Sequence, residues 1–169
     1  IVAFGGAGPM FAADLARDLG IGTVIVPLVP GVFSAWGMLL TDMRHDFVQT
    51  KVISFDGDSL AELNSIYERL AHKANEVLER EGVKNEDVYF RPSLDLRYLG
   101  QEHTVNTPVD LTPLKSTDIR KLRVRFDQLH QKQFTFSLKD PLEVVNTRLT
   151  AYGRVKKPKV KPMSRSRSS

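Results

Sequence analysis

The junction Ile1-Val2-Ala3-Phe4-Gly5-Gly6-Ala7-Gly8-Pro9 constrains the fold more than any other stretch of the chain. Four apolar residues run directly into a glycine-rich turn. Pro9 suits the first turn of a helix, where its missing N–H costs no hydrogen bond. The spacing predicts a short strand at 1–4 and a helix to about Leu19, with Phe11, Leu15 and Leu19 on one stripe and Gly20 as the stop. A β-branched strand at 23–26 follows, then a proline loop at 27–31 and a buried helix at 32–42. In that helix Ser34, Ala35 and Gly37 would let a neighbouring backbone approach closely. Strand, helix, strand, helix is the order of an α/β layer. A chain that starts on a buried strand reads as the interior of something longer, because termini usually lie outside the core.

Beyond residue 42 the pattern changes. Residues 45–55 predict an extended strand, and Asp56-Gly57-Asp58 a turn and boundary. Ser59 and Glu62 have the spacing of a capping box. A helix follows to Glu81, with Leu60, Leu63, Tyr67, Leu70, Ala74, Val77 and Leu78 on its apolar face and Gly82 ending it. Residues 87–98 alternate, placing Val88, Phe90, Leu94, Leu96 and Tyr98 on one face. Gly100 turns the chain into a returning strand at 102–107. A helix at 117–134 is expected to bury Ile119, Leu122, Phe126, Leu129 and Gln133, and 142–152 to form the last strand. The expected organisation is therefore an α/β segment at 1–55, a small α+β domain at 56–153 and a disordered basic tail at 154–169.

Charge follows the same division. The chain has 169 residues and a net charge of +4. Seven of its basic groups, and no acid, fall in 154–169, which leaves the body mildly acidic. That balance argues against a nucleic-acid surface on the body. No apolar run reaches the ~18 residues that span a bilayer, so no membrane role is expected. Cysteine is absent, which removes disulfide scaffolds, thiolate metal sites and cysteine nucleophiles, and fits a cytoplasmic setting.

Three groups of residues could carry chemistry. The loop Gly5, Gly6, Ala7, Gly8 offers backbone N–H groups at a helix N-terminus, where an anion is favoured; it could equally be a plain tight turn. It lacks the third glycine and the later acid of a dinucleotide fold and the Gly-Lys-Ser/Thr of a phosphate loop. Asp95 and Arg97, followed by Tyr98 and Gln101, read either as a substrate or subunit contact or as a strand-surface ion pair beside a hairpin. His130 falls on an apolar helix face and reads as a hydrogen-bonded core histidine; the scattered histidines offer no metal site. Asp42, Arg44, His45 and Asp46 could line a cleft, but read by default as solvation of a helix end.

Six stretches, in order, resemble motifs of the hydantoinase A / 5-oxoprolinase family. They are Ala3–Ala12 around the glycine loop; Pro30-Gly31-Val32-Phe33-Ser34-Ala35-Trp36-Gly37-Met38; Asp42-Met43-Arg44-His45-Asp46; Asp95-Leu96-Arg97-Tyr98-Leu99-Gly100-Gln101; Phe126 with His130; and Glu143-Val144-Val145-Asn146-Thr147-Arg148. The resemblance covers 1–153. It implies the C-terminal end of a longer subunit built like the actin-like, sugar-kinase-like ATPases, whose members spend ATP, with Mg, to open a small cyclic amide such as 5-oxoproline or a hydantoin. It further implies that Gly5, Gly6, Ala7 and Gly8 lie near the nucleotide, and that the phosphate and metal ligands belong to the preceding part of the same chain. A second, hydantoinase B-type subunit or domain is an implied partner, and glutathione turnover an implied pathway if 5-oxoproline is the substrate. Related subunits of ketone carboxylases, and a truncated partner-binding module without activity, are the alternatives. The chain departs from the family where Met10-Phe11 replaces a Leu-His pair and Phe134-Thr135 replaces Tyr-Gly. The second change is expected to alter the helix exit, since threonine takes positive φ less readily than glycine.

Overall fold

The computed structural model describes residues 1–110 and 112–158. The chain divides into two compact units that meet between Thr41 and Asp42. β1 (Met43–Ser54), upstream of the turn at Asp56, pairs with β4 (Leu142–Gly153) and so falls with the second unit.

The second unit is an α+β domain. Its antiparallel sheet has the order β1-β4-β2-β3, with β2 at Val88–Tyr98 and β3 at Val105–Pro108. Helices α3 (Leu60–Arg80) and α4 (Ser116–Phe134) pack on one face of it. Alternation along β2 sends Leu94, Leu96 and Tyr98 to the helices and Asp95 and Arg97 to the other face. A bulge in β4 opposite Asp95/Leu96 keeps Val144 and Leu142 facing inward and Glu143 outward. From α3 come Leu63, Ile66, Tyr67, Leu70, Ala74 and Leu78; from α4 come Leu122, Phe126 and His130. The expected face of α4 holds except at Gln133, which is exposed.

Helix ends show where local chemistry differs from expectation. The Ser59/Glu62 capping box does not form, because Ser59 is already in the helical region (φ −78°, ψ −11°). Asp56 takes over: its Oδ1 accepts from the N–H groups of Asp58 at 3.1 Å and Ser59 at 3.0 Å, and Glu62 pairs with Lys51 instead. Gly82 closes α3 at φ +82°, as expected. Thr135 closes α4 in the same left-handed conformation, at φ +70°. The threonine does not alter this exit; the backbone keeps the turn that a glycine would take at lower cost.

The first unit is thinner. The strands expected at 1–4 and 23–26 reduce to one parallel bridge, Val2 to Ile25. Helix α1 (Gly8–Asp18) forms as expected, but Ala12 and Ala16 are its buried residues, while Phe11 (64% exposed), Leu15 and Leu19 face solvent. The helix expected at 32–42 is the six-residue α2 (Phe33–Met38), preceded by a 3₁₀ turn, and none of its residues is buried. A helix apolar on every side needs cover on every side, and residues 1–41 do not supply it. Of the expected tail, Arg154 is anchored: its N–H donates to Asp87 O at 2.9 Å, and its guanidinium lies 5.1 Å from the Tyr89 ring centre. Residues 159–169 lie outside the described residues.

Candidate functional sites

Gly5, Gly6, Ala7 and Gly8 lie together in the first unit, at the entrance to α1. Gly5 has φ +87°, a conformation that side chains oppose, and its N–H is spent on Pro30 O at 2.8 Å. A Cβ at Gly6 or Gly8 would meet nothing within 4 Å, so the loop is open. No side chain caps the helix, and no acid stands in its first turn. An anion or a polar ribose would find unopposed positive potential there.

The second predicted group does not form one cluster; the structure sends its members to three environments. Asp95 is 4% exposed on the sheet face away from the helices. It does not pair with Arg97. Its carboxylate accepts from Asn106 Nδ2 at 2.8 Å, Asn146 Nδ2 at 2.7 Å and Arg148 Nε at 2.6 Å, which ties β3 and β4 to β2. Burial alone would push this carboxyl up. The three hydrogen bonds and the Arg148 charge outweigh it and hold Asp95 below the ordinary carboxylate range. Arg97 instead pairs with Glu143 at 2.6 Å. The same face continues through Thr50, which donates to Asn146 at 2.7 Å, and Thr150, which donates to Asp46 at 2.6 Å. The partners Asn106, Asn146 and Arg148 were not singled out with Asp95. The signal lay in alternation: Asn146 and Arg148 repeat on β4 the two-residue spacing of Asp95 and Arg97.

Tyr98 lies in the core. Its hydroxyl donates to Asp127 Oδ1 at 2.7 Å and accepts from the Leu138 N–H at 2.9 Å. Burial, then the Asp127 carboxylate, pushes this phenol up. Arg123 bonds the Asp127 carboxylate at 3.0 Å and the carbonyls of Leu138 and Asp140 at 2.7 Å, so the segment after α4 is pinned.

Gln101 leads to a pocket. It lies with Glu102, His103, His130, Phe134 and Phe136 around a recess of about 260 Å³. His130, 1% exposed, is the core histidine expected from sequence, yet one edge of its ring borders this recess. Tyr98, Phe134 and Phe136 surround it with ring centres 4.8–4.9 Å away. Its Nδ1 bonds Phe136 O at 2.8 Å, and its Nε2 lies 3.3 Å from Gln101 Oε1. The aromatic walls were not foreseen, because Phe136 and His103 approach α4 only through the turns at Thr135 and Gly100. Among the described residues no cluster of three or more metal-ligating side chains occurs.

Known proteins resemble this chain in sequence and in fold. Residues 1–47 match the hydantoinase/oxoprolinase family, and 56–167 match the hydantoinase/oxoprolinase C-terminal domain. The alpha subunit of caprolactamase from Pseudomonas jessenii is 28% identical over 94% of this chain and 23% of its own. 5-Oxoprolinase of Saccharomyces cerevisiae is 28% identical over 91% of this chain and 12% of its own. Two solved structures share the fold. ATP-dependent caprolactamase from P. jessenii has a TM-score of 0.76 at 26% identity, covering 99% of this chain. Nucleotide-free acetone carboxylase has a TM-score of 0.85 at 21% identity, covering 96% of this chain. In both, this chain spans 25% of the solved chain. The chain belongs to the hydantoinase/oxoprolinase family.

Proposed function

We propose that this chain is the C-terminal part of an ATP-dependent enzyme that opens a small cyclic amide, of the 5-oxoprolinase or hydantoinase type. The observation that carries the reading is the succession of two family matches along the chain, 1–47 and 56–167. The first contains the glycine loop. Gly6, Ala7 and Gly8 would face the nucleotide, with Gly5 held back by its bond to Pro30. ATP would supply the driving force: transfer of its γ-phosphoryl group to the amide oxygen, with ADP leaving, makes the carbonyl carbon electrophilic enough for water to add. The C–N bond then breaks to give the amine and an acyl phosphate, and a second water releases carboxylate and phosphate. The loop fits a nucleotide because it is open, uncapped and free of acid in its first turn. Mg would be held by the phosphates and by residues outside this segment. The first unit belongs, on this reading, to an actin-like ATPase domain whose remainder covers α1 and α2. A second large subunit would complete the assembly, since one relative is itself an alpha subunit.

A second reading, part of a ketone carboxylase, draws on the likeness to acetone carboxylase, which is one of fold. The experiment that separates them uses the full-length protein, with its partner subunit where one co-purifies. ATP hydrolysis is followed with 5-oxoproline, a hydantoin, caprolactam, or acetone plus bicarbonate. Stimulation by a cyclic amide with ring opening supports the first reading. Stimulation confined to ketone plus bicarbonate replaces it with the second, and stimulation by none removes both.

A further inference from the structure

We propose that the recess between the Gly100 turn and the end of α4 binds a neutral lactam, with Gln101 reading the amide edge and His130 fixing Gln101. The proposal takes its ligand class from the cyclic-amide reading and its location from the geometry below.

The recess is built like a small-molecule site, with apolar walls and polar groups at one place. Phe134, Phe136 and His103 supply the walls; His103 and Phe134 lie nearly parallel, 17° apart, with ring centres 6.2 Å apart. Gln101 and His130 supply the polar end. His130 cannot turn: four rings contact it, and its Nδ1–H donates to Phe136 O. In the neutral ring Nε2 is then an acceptor. It faces Gln101 Oε1, also an acceptor, at 3.3 Å. Turning the Gln101 amide over, a change of orientation that leaves its shape the same, lets its NH₂ donate to Nε2. With the hydrogen anti to the oxygen given to Nε2, the amide has its oxygen and the other N–H left, side by side on the same edge.

A lactam presents the complement. Its ring forces the amide cis, so its N–H and C=O lie on one edge and can pair with the edge of a carboxamide through two hydrogen bonds. An open-chain secondary amide is trans and presents the two groups on opposite sides. The lactam's methylene body would lie against the aromatic walls. Glu102 lines the recess and, among the described residues, no lysine or arginine does, which favours a neutral ring over a carboxylated one.

Caprolactam is titrated into the isotope-labelled 169-residue chain while the Gln101 side-chain NH₂ and His130 ring resonances are followed. The expected result is a saturable shift at both, weakened at least tenfold by N-methylation of the lactam. Gln101→Ala, and Gln101→Met to preserve bulk, should weaken binding at least tenfold without altering the rest of the spectrum. Shifts located elsewhere, no shifts, or equal binding of the N-methyl lactam would each overturn the proposal. ATP-driven lactam opening by the full-length protein without a Gln101 shift would remove this site and leave the cyclic-amide reading intact. A Gln101 shift without ATP-driven opening would keep the site and remove the reading.

Discussion

Ile1–Thr41 is the more apolar of the two regions, with 25 of 41 residues apolar against 42 of 113 in Asp42–Arg154, yet it is the one left without a core of large side chains. In the longer unit the apolar stripes of α3 and α4 meet the inner face of a four-stranded sheet, and Leu63, Leu78, Leu94, Leu96 and Phe126 are fully buried. In the shorter unit the buried apolar residues are three alanines, Ala3, Ala12 and Ala16, while Met10, Phe11 and Met38 are 64–75% exposed. Burying one large apolar side chain is worth about 1.5–3 kcal/mol. The longer unit has that stabilisation in hand, and the shorter one has it unused. Periodicity thus places an element, but only a second surface turns the stripe into a core.

Mutations should expose this contrast. Phe126→Ala and Leu63→Ala each remove a fully buried side chain and should cost about 3–5 and 2–5 kcal/mol in denaturant unfolding of the chain. Phe11→Ala and Leu15→Ala should stay within about 0.5 kcal/mol in the same assay. A comparable loss at Phe11 would break the comparison.

The outer face of the sheet sharpens it further. Asp95→Ala strands three donors and should cost about 2–3 kcal/mol. The pH dependence has a definite sign. The folded carboxyl has a depressed pKa, so its contribution is complete above the unfolded value and is lost as pH falls through the folded one. Stability should therefore fall on acidification below about pH 4, and Asp95→Asn should flatten that slope. Unfolding curves measured between neutral and acid pH decide it.

Smaller effects are expected at two backbone positions. A methyl group at Gly153 would lie 2.7 Å from Val83 Cγ2, so Gly153→Ala should cost about 1–3 kcal/mol by overpacking. Thr135→Gly should raise stability by about 1 kcal/mol, since it relieves a side chain held at φ +70°. Thermal melts of the two variants should move in opposite directions.

Much of the second unit was legible in the sequence, because each of its periodic faces meets another within the same stretch. The stripe of α3, the alternation of β2 and the glycine stop at Gly82 all express local rules that the tertiary structure obeys. The capping box failed because Ser59 is already in the helical region and its N–H, which Glu62 would have taken, goes to Asp56 instead. Helix α2 came out short and uncovered because composition says that a segment wants burial, not what will bury it. Of the candidate residues, the glycine loop was readable from its junction with α1. Asp95 and Tyr98 were not, since their partners are Arg148 and Asp127, 53 and 29 residues away. The Gln101 recess was hidden for the same reason: its walls come from two turns on either side of α4.

Amide hydrogen exchange, residue by residue on the 169-residue chain, tests the contrast most directly. The account predicts strong, cooperative protection across α3, α4 and the β1-β4-β2 ladder, and exchange near the unstructured rate through α1 and α2. Equal protection in both regions would contradict it.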